Sequence, residues 1–359
     1  MTIARLRAQA RAATLFAPTT LGAAVERIGF VQADPIRAPA RAQDLILRHR
    51  VSGYRAGDLE RRFGRLGLEE DFLYAYGFMP AATGALLHPR GGQAVPSGLE
   101  ADVLAFVRAR GKTHPAELEA AFGRDLAVNN WGGMSKATTR ALDGLQRAGL
   151  LRVVERRQGI RVYAAVAGMV SGLEAAERAR RVVMLVARIL APAPLASLRR
   201  AVAMTAWRNT GLGKVGPVLL AALKAGALVQ EEVAGEVYVW PAEMVVAGEV
   251  KRDVRLLAPF DPLVWDRRRF EHLWGWEYRF EAYTPAAKRR LGYYAMPLLW
   301  GDQVIGWANV SVTGGKLDVA TGFAGRAPTG AAFRRALDAE LARMARFLDS
   351  VPARVSASE

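Results

Sequence analysis

Apolar residues recur at helical spacing in the opening part of the chain. One apolar helix face is formed by Leu21, Ala24, Val25 and Ile28. Thr19 or Thr20 can cap this helix, and Gly29 is suited to end it. The stretch ARAQDLILRHRV, which begins at Ala40, predicts a second helix. We therefore expect a helical N-terminal module that ends in the Pro- and Gly-rich segment 88–98.

A repeated pattern follows in the middle of the chain. Two stretches, one beginning at Ala141 and the other at Val218, each predict a helix, a closing glycine and two strands joined by a turn. Another helical stretch precedes each copy. Two helices followed by a β-hairpin are typical of a winged helix, whose second helix usually enters the major groove of DNA. A packing unit that serves protein contacts is the alternative interpretation.

The two copies differ in the charge of their hairpins. The first hairpin contains Arg156, Arg157 and Arg161, which we expect near its tip. The second hairpin contains Glu231, Glu232 and Glu236. A basic tip favours contact with phosphate, whereas an acidic one repels it. We expect the first copy to bind DNA, and the second to be a scaffold or to bind DNA through another face.

The pattern changes to strand-like segments after Lys251. Within Tyr293–Phe323, Gly301-Asp302 and Gly314-Gly315 are hairpin signals that separate these segments. A final helix has an apolar face formed by Phe333, Leu337, Leu341, Met344 and Leu348. The tail VPARVSASE is expected to be frayed.

Together these patterns predict an α+β fold of tandem winged-helix modules, followed by a small antiparallel β-domain and a C-terminal helix. At 359 residues the chain is too long for one hydrophobic core, so several modules are expected. The expected modules are an N-terminal winged-helix-like module at 1–95, a second winged helix at 96–172, a third at 173–248, the β-domain at 249–330, and the helix and tail at 331–359.

Composition narrows the class of partner. There are 50 Lys and Arg against 34 Asp and Glu, and the net charge of +16 favours a polyanion. We expect nucleic acid. Arginine-preferring codons in a GC-rich genome would explain the charge without any partner, and an anionic membrane would require a basic amphipathic helix. The chain has no cysteine, and its four histidines (His49, His88, His114 and His272) lie far apart, so we expect no metal and no cofactor.

The sequence also bears on location. No apolar run reaches membrane-spanning length, so we expect no membrane partner. The opening MTIARLRAQARAATLF alternates basic and apolar residues and lacks the continuous apolar segment of a signal peptide. These observations predict a cytoplasmic, nucleoid-associated protein.

A Gln-x-Asp motif lies between the two N-terminal helices. In an extended chain Gln32 and Asp34 point to the same side, about 6.6 Å apart, and Pro35 disfavours helical geometry at Asp34. An amide and a carboxylate so placed could hold one water molecule between them. Arg37 and Arg41 follow and could hold flanking phosphates. The alternative is that Asp34 opens a turn or caps the next helix.

The motif and its surroundings resemble a known family. FVQADPIRAPARAQDLIL is similar to the active-site segment of the YcaQ/AlkZ-type DNA glycosylases, winged-helix enzymes of interstrand crosslink repair. The stretch from Leu256 to Val310 resembles the family throughout, in its Pro-Phe-Asp, Trp-Asp-Arg, Tyr-x-Pro-Ala-x-Lys-Arg and Gly-Tyr-Tyr elements. The resemblance implies tandem winged helices and a small β-domain, with Gln32 and Asp34 as the catalytic pair. The form of the motif that has Asp at its third position resembles the branch of the family associated with unhooking crosslinks and removing bulky N7-alkylguanines.

The resemblance has one departure. Where the family tends to read Glu-Tyr-Trp-x-His, this chain has EDFLYAYGFMP, so Glu70 is retained and Tyr74 stands at the histidine position. The substrate range and the activity itself therefore require a test. No lysine adjoins the motif to form a Schiff base, so we expect a monofunctional glycosylase.

Further basic residues are candidates for DNA contact. They are Lys136 and Arg140, with Asn130 and Trp131 beside them, then Arg267 and Arg268 in the run that ends at Arg269, and the run Lys288–Arg290. A solvated surface is the alternative for each. The expected partner is double-stranded DNA carrying alkylated guanine, bound by a monomer. The alternatives are a transcription regulator and a family member that binds damaged DNA without cutting it.

Overall fold

The computed structural model describes residues 1–90, 95–128, 132–166, 171–244 and 250–357, with backbone alone from 351 onwards. Its helices are α1 (Ile3–Thr14), α2 (Leu21–Ile28), α3 (Ala42–Leu47), α4 (Asp58–Arg62), α5 (Ala81–Leu86), α6 (Leu99–Arg110), α7 (Pro115–Phe122), α8 (Ala137–Arg147), α9 (Ala175–Leu190), α10 (Leu195–Arg208), α11 (Val215–Lys224), α12 (Pro262–Trp265), α13 (Arg267–Trp274) and α14 (Ala331–Leu348). None of the helices described is long and apolar enough to cross a membrane.

The strands alternate with these helices along the chain. They are β1 (Val31–Gln32), β2 (Leu68–Phe72), β3 (Tyr76–Pro80), β4 (Leu126–Val128), β5 (Met134–Lys136), β6 (Leu151–Arg157), β7 (Ile160–Ala165), β8 (Ala193–Pro194), β9 (Leu228–Val233), β10 (Glu236–Pro241), β11 (Val254–Leu256), β12 (Met296–Trp300), β13 (Gln303–Thr313), β14 (Lys316–Phe323) and β15 (Val351–Ala357). The fold is therefore the mixed helix and sheet fold that the sequence predicts.

The chain forms two compact units, each built from separate segments. The first unit comprises Met1–Asp58, Met184–Ala201 and Leu219–Glu359, and the second comprises Leu59–Val183 and Val202–Val218. The predicted modules 1–95 and 173–248 each contribute residues to both units. Hydrophobic periodicity finds helices and hairpins, but it does not show which of them share a core.

The second unit contains the first copy of the repeat. Helices α6, α7 and α8 precede the β6–β7 hairpin, the element order of a winged helix. The apolar faces of α6 and α8 are buried, and Val153 and Val162 of the hairpin are buried as well. At the hairpin tip, Gln158 and Gly159 have φ angles of 52° and 81°, the two positive values of a type I′ turn.

The first unit contains the hairpin of the second copy. Here β9 pairs with β10 and β10 with β8, all antiparallel. Ala234 and Gly235 at the tip have φ angles of 50° and 80°, close to those of the first hairpin. The likeness between the two stretches thus extends to the conformation of the turn.

The C-terminal sheet has the order β11-β12-β13-β14-β15. Its first four strands are antiparallel, as predicted. The prediction of a frayed tail was wrong, because β15 pairs with β14 in parallel. Helix α14 ends at Leu348, and its C-cap residue Asp349 has a φ of 55°, a left-handed conformation that stops the helix just before the strand begins.

The N-terminal helices of the first unit flank the Gln-x-Asp segment. The apolar face predicted for α2 is buried, and Thr20 caps the helix by accepting from the Ala23 N–H at 3.4 Å. After α3, Arg50 donates to both carboxylate oxygens of Asp261, at 2.8 and 3.0 Å, and neither residue is exposed. This bidentate pair fastens the end of α3 to the start of α12.

Candidate active site

The Gln-x-Asp segment leaves the core of the first unit at a short strand. Phe30 and Val31 are buried, whereas Gln32 and Asp34 are half-buried. The chain then runs through a loop to Arg41, the N-cap residue of α3. The two apolar residues therefore anchor the segment, and the two polar residues lie at its partly accessible side.

The Asp34 carboxylate is bonded within its own loop. Its Oδ1 accepts the Ile36 N–H at 2.9 Å, which is the turn geometry expected of Asp before proline. It does not cap α3, whose N-cap is Arg41, and no ion pair to Asp34 forms within the described part of the chain. Burial raises the pKa of Asp34 above its ordinary value, and the Ile36 N–H opposes this in part.

Two tyrosines lie within the electrostatic field of Asp34. The pKa values of Tyr283 and Tyr294 are raised, first by burial and next by the negative charge of Asp34. Tyr294 is buried and Tyr283 is exposed, and the ring of Phe280 contacts both, at centroid distances of 5.3 and 6.1 Å. The Tyr294 hydroxyl has no hydrogen-bond partner among the described residues.

A cavity of about 310 Å³ borders the same tyrosine. It is lined by Ala38, Tyr293, Tyr294, Asn309, Val310, Ser311, Asp318, Val319 and Ala320. Ala38 belongs to the loop that carries Asp34, so the cavity lies beside the motif. Its size is at the lower end of the range for small-molecule sites.

Gln32 brings an unsatisfied acceptor to this region. Its Oε1 is buried and has no hydrogen-bond partner in the described residues. Buried polar atoms without partners are rare because they lose hydration without compensation. Gln32 can therefore accept a hydrogen bond from a water molecule at no cost to existing contacts.

The predicted phosphate contacts next to the motif and on α8 are at least partly accessible. Arg37 is exposed and Arg41 is half-buried. Lys136 pairs with Glu119, and Arg140 is exposed on α8. Asn130 and Trp131 lie outside the described residues.

Arg156 lies elsewhere than the sequence suggested. Its side chain is 9% exposed, and its Nε donates to Glu70 at 2.8 Å. Tyr76 donates to the same carboxylate at 2.7 Å, and Tyr74 is also buried. The sequence predicted an exposed Arg156 near the hairpin tip, but its side chain lies on the inner side of the strand. The exposed arginine next to the tip is Arg157, which bonds to Glu155 at 2.7 Å.

Arg267 and Arg268 also differ from each other. Arg267 donates to the Val264 and Pro259 carbonyls, at 2.6 and 3.0 Å, and lies 4.6 Å from the Tyr278 ring. Burial lowers its pKa. It holds the turn before α13 and is not the surface cation that the sequence suggested. Arg268 is exposed and pairs with Glu236 at 2.8 Å.

Sequence reasoning assigned no role to Tyr283 or Tyr294. Both lie within the Tyr-x-Pro-Ala and Gly-Tyr-Tyr elements that carry the resemblance. The resemblance pointed to this stretch, but the electrostatic influence of Asp34 on the two tyrosines joins distant parts of the chain. The described residues contain no cluster of His, Asp or Glu suited to a metal ion.

Comparisons with known proteins show which family the chain resembles. A family model described as DNA glycosylase AlkZ-like matches residues 25–347, which include Gln32, Asp34 and both tyrosines. The structure is also similar to that of Streptomyces sahachiroi DNA glycosylase AlkZ, with a TM-score of 0.64 and 16% sequence identity. That match covers 99% of this chain and 100% of the other, and at this identity it shows likeness of fold.

Proposed function

Because the chain belongs to the AlkZ-like DNA glycosylase family, we propose that Gln32 and Asp34 are the catalytic pair of this DNA glycosylase. Its proposed substrate is N7-alkylated, bulky or interstrand-crosslinked guanine. The observation that carries the proposal is the Asp34 carboxylate, which is half-buried and has no counter-cation in the described chain. A carboxylate in this state is available to a cationic reacting group.

The chemistry of the lesion suits one carboxylate. N7-alkylation makes guanine cationic, so the base leaves with the electron pair of the C1′–N9 bond and needs little protonation. The sugar becomes oxocarbenium-like, and Asp34 stabilises its positive charge. Water then forms the new bond to C1′, and its proton passes to Asp34, the general base.

Gln32 and Tyr294 have positioning roles in this proposal. Gln32 accepts a hydrogen bond from the attacking water through Oε1 and can donate through its amide nitrogen. Tyr294, whose hydroxyl lacks a partner in the described residues, donates to Asp34 or to that water. No lysine adjoins the motif, so the reaction ends at the abasic site without strand cleavage.

The cavity beside the motif supports a place for the damaged base. Its lining combines aromatic rings with an amide and a carboxylate, side chains that can stack on a base and read its edge. Access would require the nucleotide to leave the duplex, because an enzyme cannot reach this bond inside the stack. We propose that the cavity receives the extruded base.

The decisive experiment is base release in a single turnover. Duplexes with N7-methylguanine or a mustard crosslink are incubated with excess protein, and abasic sites are then cleaved with alkali. Excision by wild type, loss in Asp34→Asn and a smaller loss in Gln32→Ala are expected. Equal excision by wild type and Asp34→Asn would contradict the assignment of the site.

A second candidate function rests on Tyr74. This buried residue stands where the resemblance leads us to expect histidine, so a protein that binds damaged DNA without cutting it is the alternative. Binding of alkylated duplex without excision by wild type would support it.

We also propose that the protein acts as a monomer on nucleoid DNA in the cytoplasm. Sedimentation of the protein with and without duplex DNA tests whether it is a monomer.

A further inference from the structure

The second unit contains a cavity of about 200 Å³ lined by charged groups. Its guanidinium groups belong to Arg90, Arg147, Arg161 and Arg208, and its carboxylates to Asp71 and Asp143. Four positive groups against two negative ones leave an excess of positive charge at one small site. An excess of this kind is costly unless an anion offsets it.

Two of the arginines are largely satisfied within the unit. Arg90 donates to Asp71 at 2.6 Å and to Asn209 at 2.9 Å. Arg161 donates to Tyr76 at 3.1 Å and lies 3.4 Å from Asp143. These contacts account for both carboxylates of the cavity.

The other two arginines form no ion pair with a carboxylate in the described part of the chain, although the charge of Arg147 acts on Asp143 at longer range. Neither Arg147, on the exposed side of α8, nor Arg208, at the end of α10, forms an ion pair with the described residues. Arg208 lies 4.6 Å from the ring centroids of both Phe72 and Trp207, and these two aromatic contacts hold its guanidinium in place. Burial lowers the pKa of Arg208, and the positive charges of Arg147 and Arg90 add to this effect.

We propose that this cavity binds a phosphate group, with Arg147 and Arg208 as the two cationic ligands. Guanidinium groups match the oxygen geometry of phosphate, and a bound phosphate would relieve the repulsion between them. The cavity volume of about 200 Å³ is smaller than that of a typical pocket for an organic ligand, and it suits a group as small as phosphate.

The phosphate is expected to belong to the DNA backbone. Trp207 is 72% exposed beside the cavity, and an exposed aromatic ring next to arginine suits a nucleotide more than an isolated ion. A free nucleotide would present the same chemistry, so the experiment must separate the two sources. The inference concerns binding alone and does not depend on the chemistry proposed for Asp34.

The test compares Arg147→Gln and Arg208→Gln with the control Arg108→Gln, an exposed arginine of α6. Three probes are used: inorganic phosphate and dAMP, by the rise in melting temperature, and an undamaged duplex, by fluorescence anisotropy at several salt concentrations. Each cavity variant is expected to lose the stabilisation by phosphate. Duplex affinity should fall roughly tenfold, as for one charge-assisted hydrogen bond, with the salt slope reduced by about 1.

The outcomes separate the possibilities. Loss of both phosphate stabilisation and duplex affinity supports a backbone phosphate. Loss of stabilisation by phosphate and dAMP with unchanged duplex binding supports the phosphate site but overturns its assignment to DNA. If both cavity variants behave like Arg108→Gln with every probe, the proposal is overturned. Because Arg147 is exposed, its variant is expected to fold and keeps the test decisive even if Arg208→Gln does not.

Discussion

Asp34 and Glu70 are both removed in part from water, but their surroundings differ. Glu70 is 2% exposed and receives hydrogen bonds from Arg156 and Tyr76. Asp34 is half-buried, receives one backbone N–H and has no cation among the described residues. Each carboxylate lies within its own unit, and the sequence resemblance drew attention to both.

The difference separates a structural carboxylate from a candidate catalytic one. The charge of Glu70 is already used by an arginine that would otherwise be buried alone, so it stabilises the fold. The charged form of Asp34 is disfavoured by burial, and one backbone N–H stabilises it only in part. A carboxylate with such a raised pKa is typical of groups that act on a substrate. The following predictions test this contrast.

The largest effect is expected for Asp34→Asn. The substitution keeps shape but removes the charge and the base, so single-turnover excision should fall by ~10²–10⁴-fold or more. Thermal unfolding at neutral pH should show equal or higher stability, because a charge that opposes burial is gone. A marked loss of stability together with unchanged excision would show that Asp34 has the structural role that is assigned to Glu70.

Glu70→Ala is expected to act on stability. It leaves Arg156 buried without its main partner, and breaking such a pair costs about 3–5 kcal/mol in the free energy of unfolding. Urea denaturation measures this cost, and a double variant with Arg156→Met should recover part of it. A Glu70→Ala protein as stable as wild type but unable to excise would place Glu70 in the chemistry.

The pH dependence gives a third test. In the proposed mechanism excision requires the Asp34 carboxylate, so the rate should fall up to tenfold per pH unit below its raised pKa. Stability changes in the opposite sense. Because the folded pKa exceeds the unfolded one, Asp34 favours folding at acid pH, and this contribution is lost as the pH rises through the folded pKa.

Two matched pH series measure this. The first series measures the excision rate of the wild type. The second measures the melting temperatures of the wild type and Asp34→Asn, and the stability of the variant relative to the wild type should increase as the pH rises. A rate that stays constant into the acid range would show that the reaction does not need the charged form of Asp34.

Tyr294→Phe is expected to have a smaller effect. In the proposed mechanism the Tyr294 hydroxyl donates to a charged group during the reaction, and losing such a bond costs about 1.5 kcal/mol, or roughly tenfold in the excision rate. Tyr238→Phe removes a buried hydroxyl elsewhere in the first unit, bonded to His272 at 2.8 Å, and it serves as the control with a change in excision rate below about twofold. Equal effects of the two substitutions would remove Tyr294 from the site.

The smallest effect is expected for Arg157→Ala. This exposed residue near the hairpin tip can contact one phosphate, so the variant should bind all duplex sequences a few-fold more weakly, with a salt slope reduced by about 1. Its stability should change by less than about 0.5 kcal/mol. Unchanged affinity at every salt concentration would move the DNA surface away from this hairpin.

The sequence predicted the parts of the structure that depend on local pattern. The buried face of α2 and both type I′ hairpins follow from hydrophobic spacing and from the glycine at each turn. The side of the strand on which Arg156 lies does not follow, because a bulge near Val153 shifts the register before it.

The two residues of the candidate site could be predicted from the sequence, but the groups that surround them could not. Gln32 and Asp34 stand out as a short motif, and the resemblance gave them a role. The absence of an ion pair to Asp34 among the described residues, and the electrostatic influence of Asp34 on Tyr294, depend on how distant parts of the chain come together. Local spacing does not carry that information, and the same is true of the arginine pair in the second unit.

The buried pair of Arg50 and Asp261 has a consequence for synthesis. Two residues 211 positions apart hold the end of α3, just after the Gln-x-Asp motif, against the start of α12. During translation the motif leaves the ribosome early, but the partner that fastens it is made in the last third of the chain. A nascent or truncated chain that lacks Asp261 is therefore expected to carry Gln32 and Asp34 without an active arrangement. Such a chain would gain an ordered motif only after Asp261 has been made.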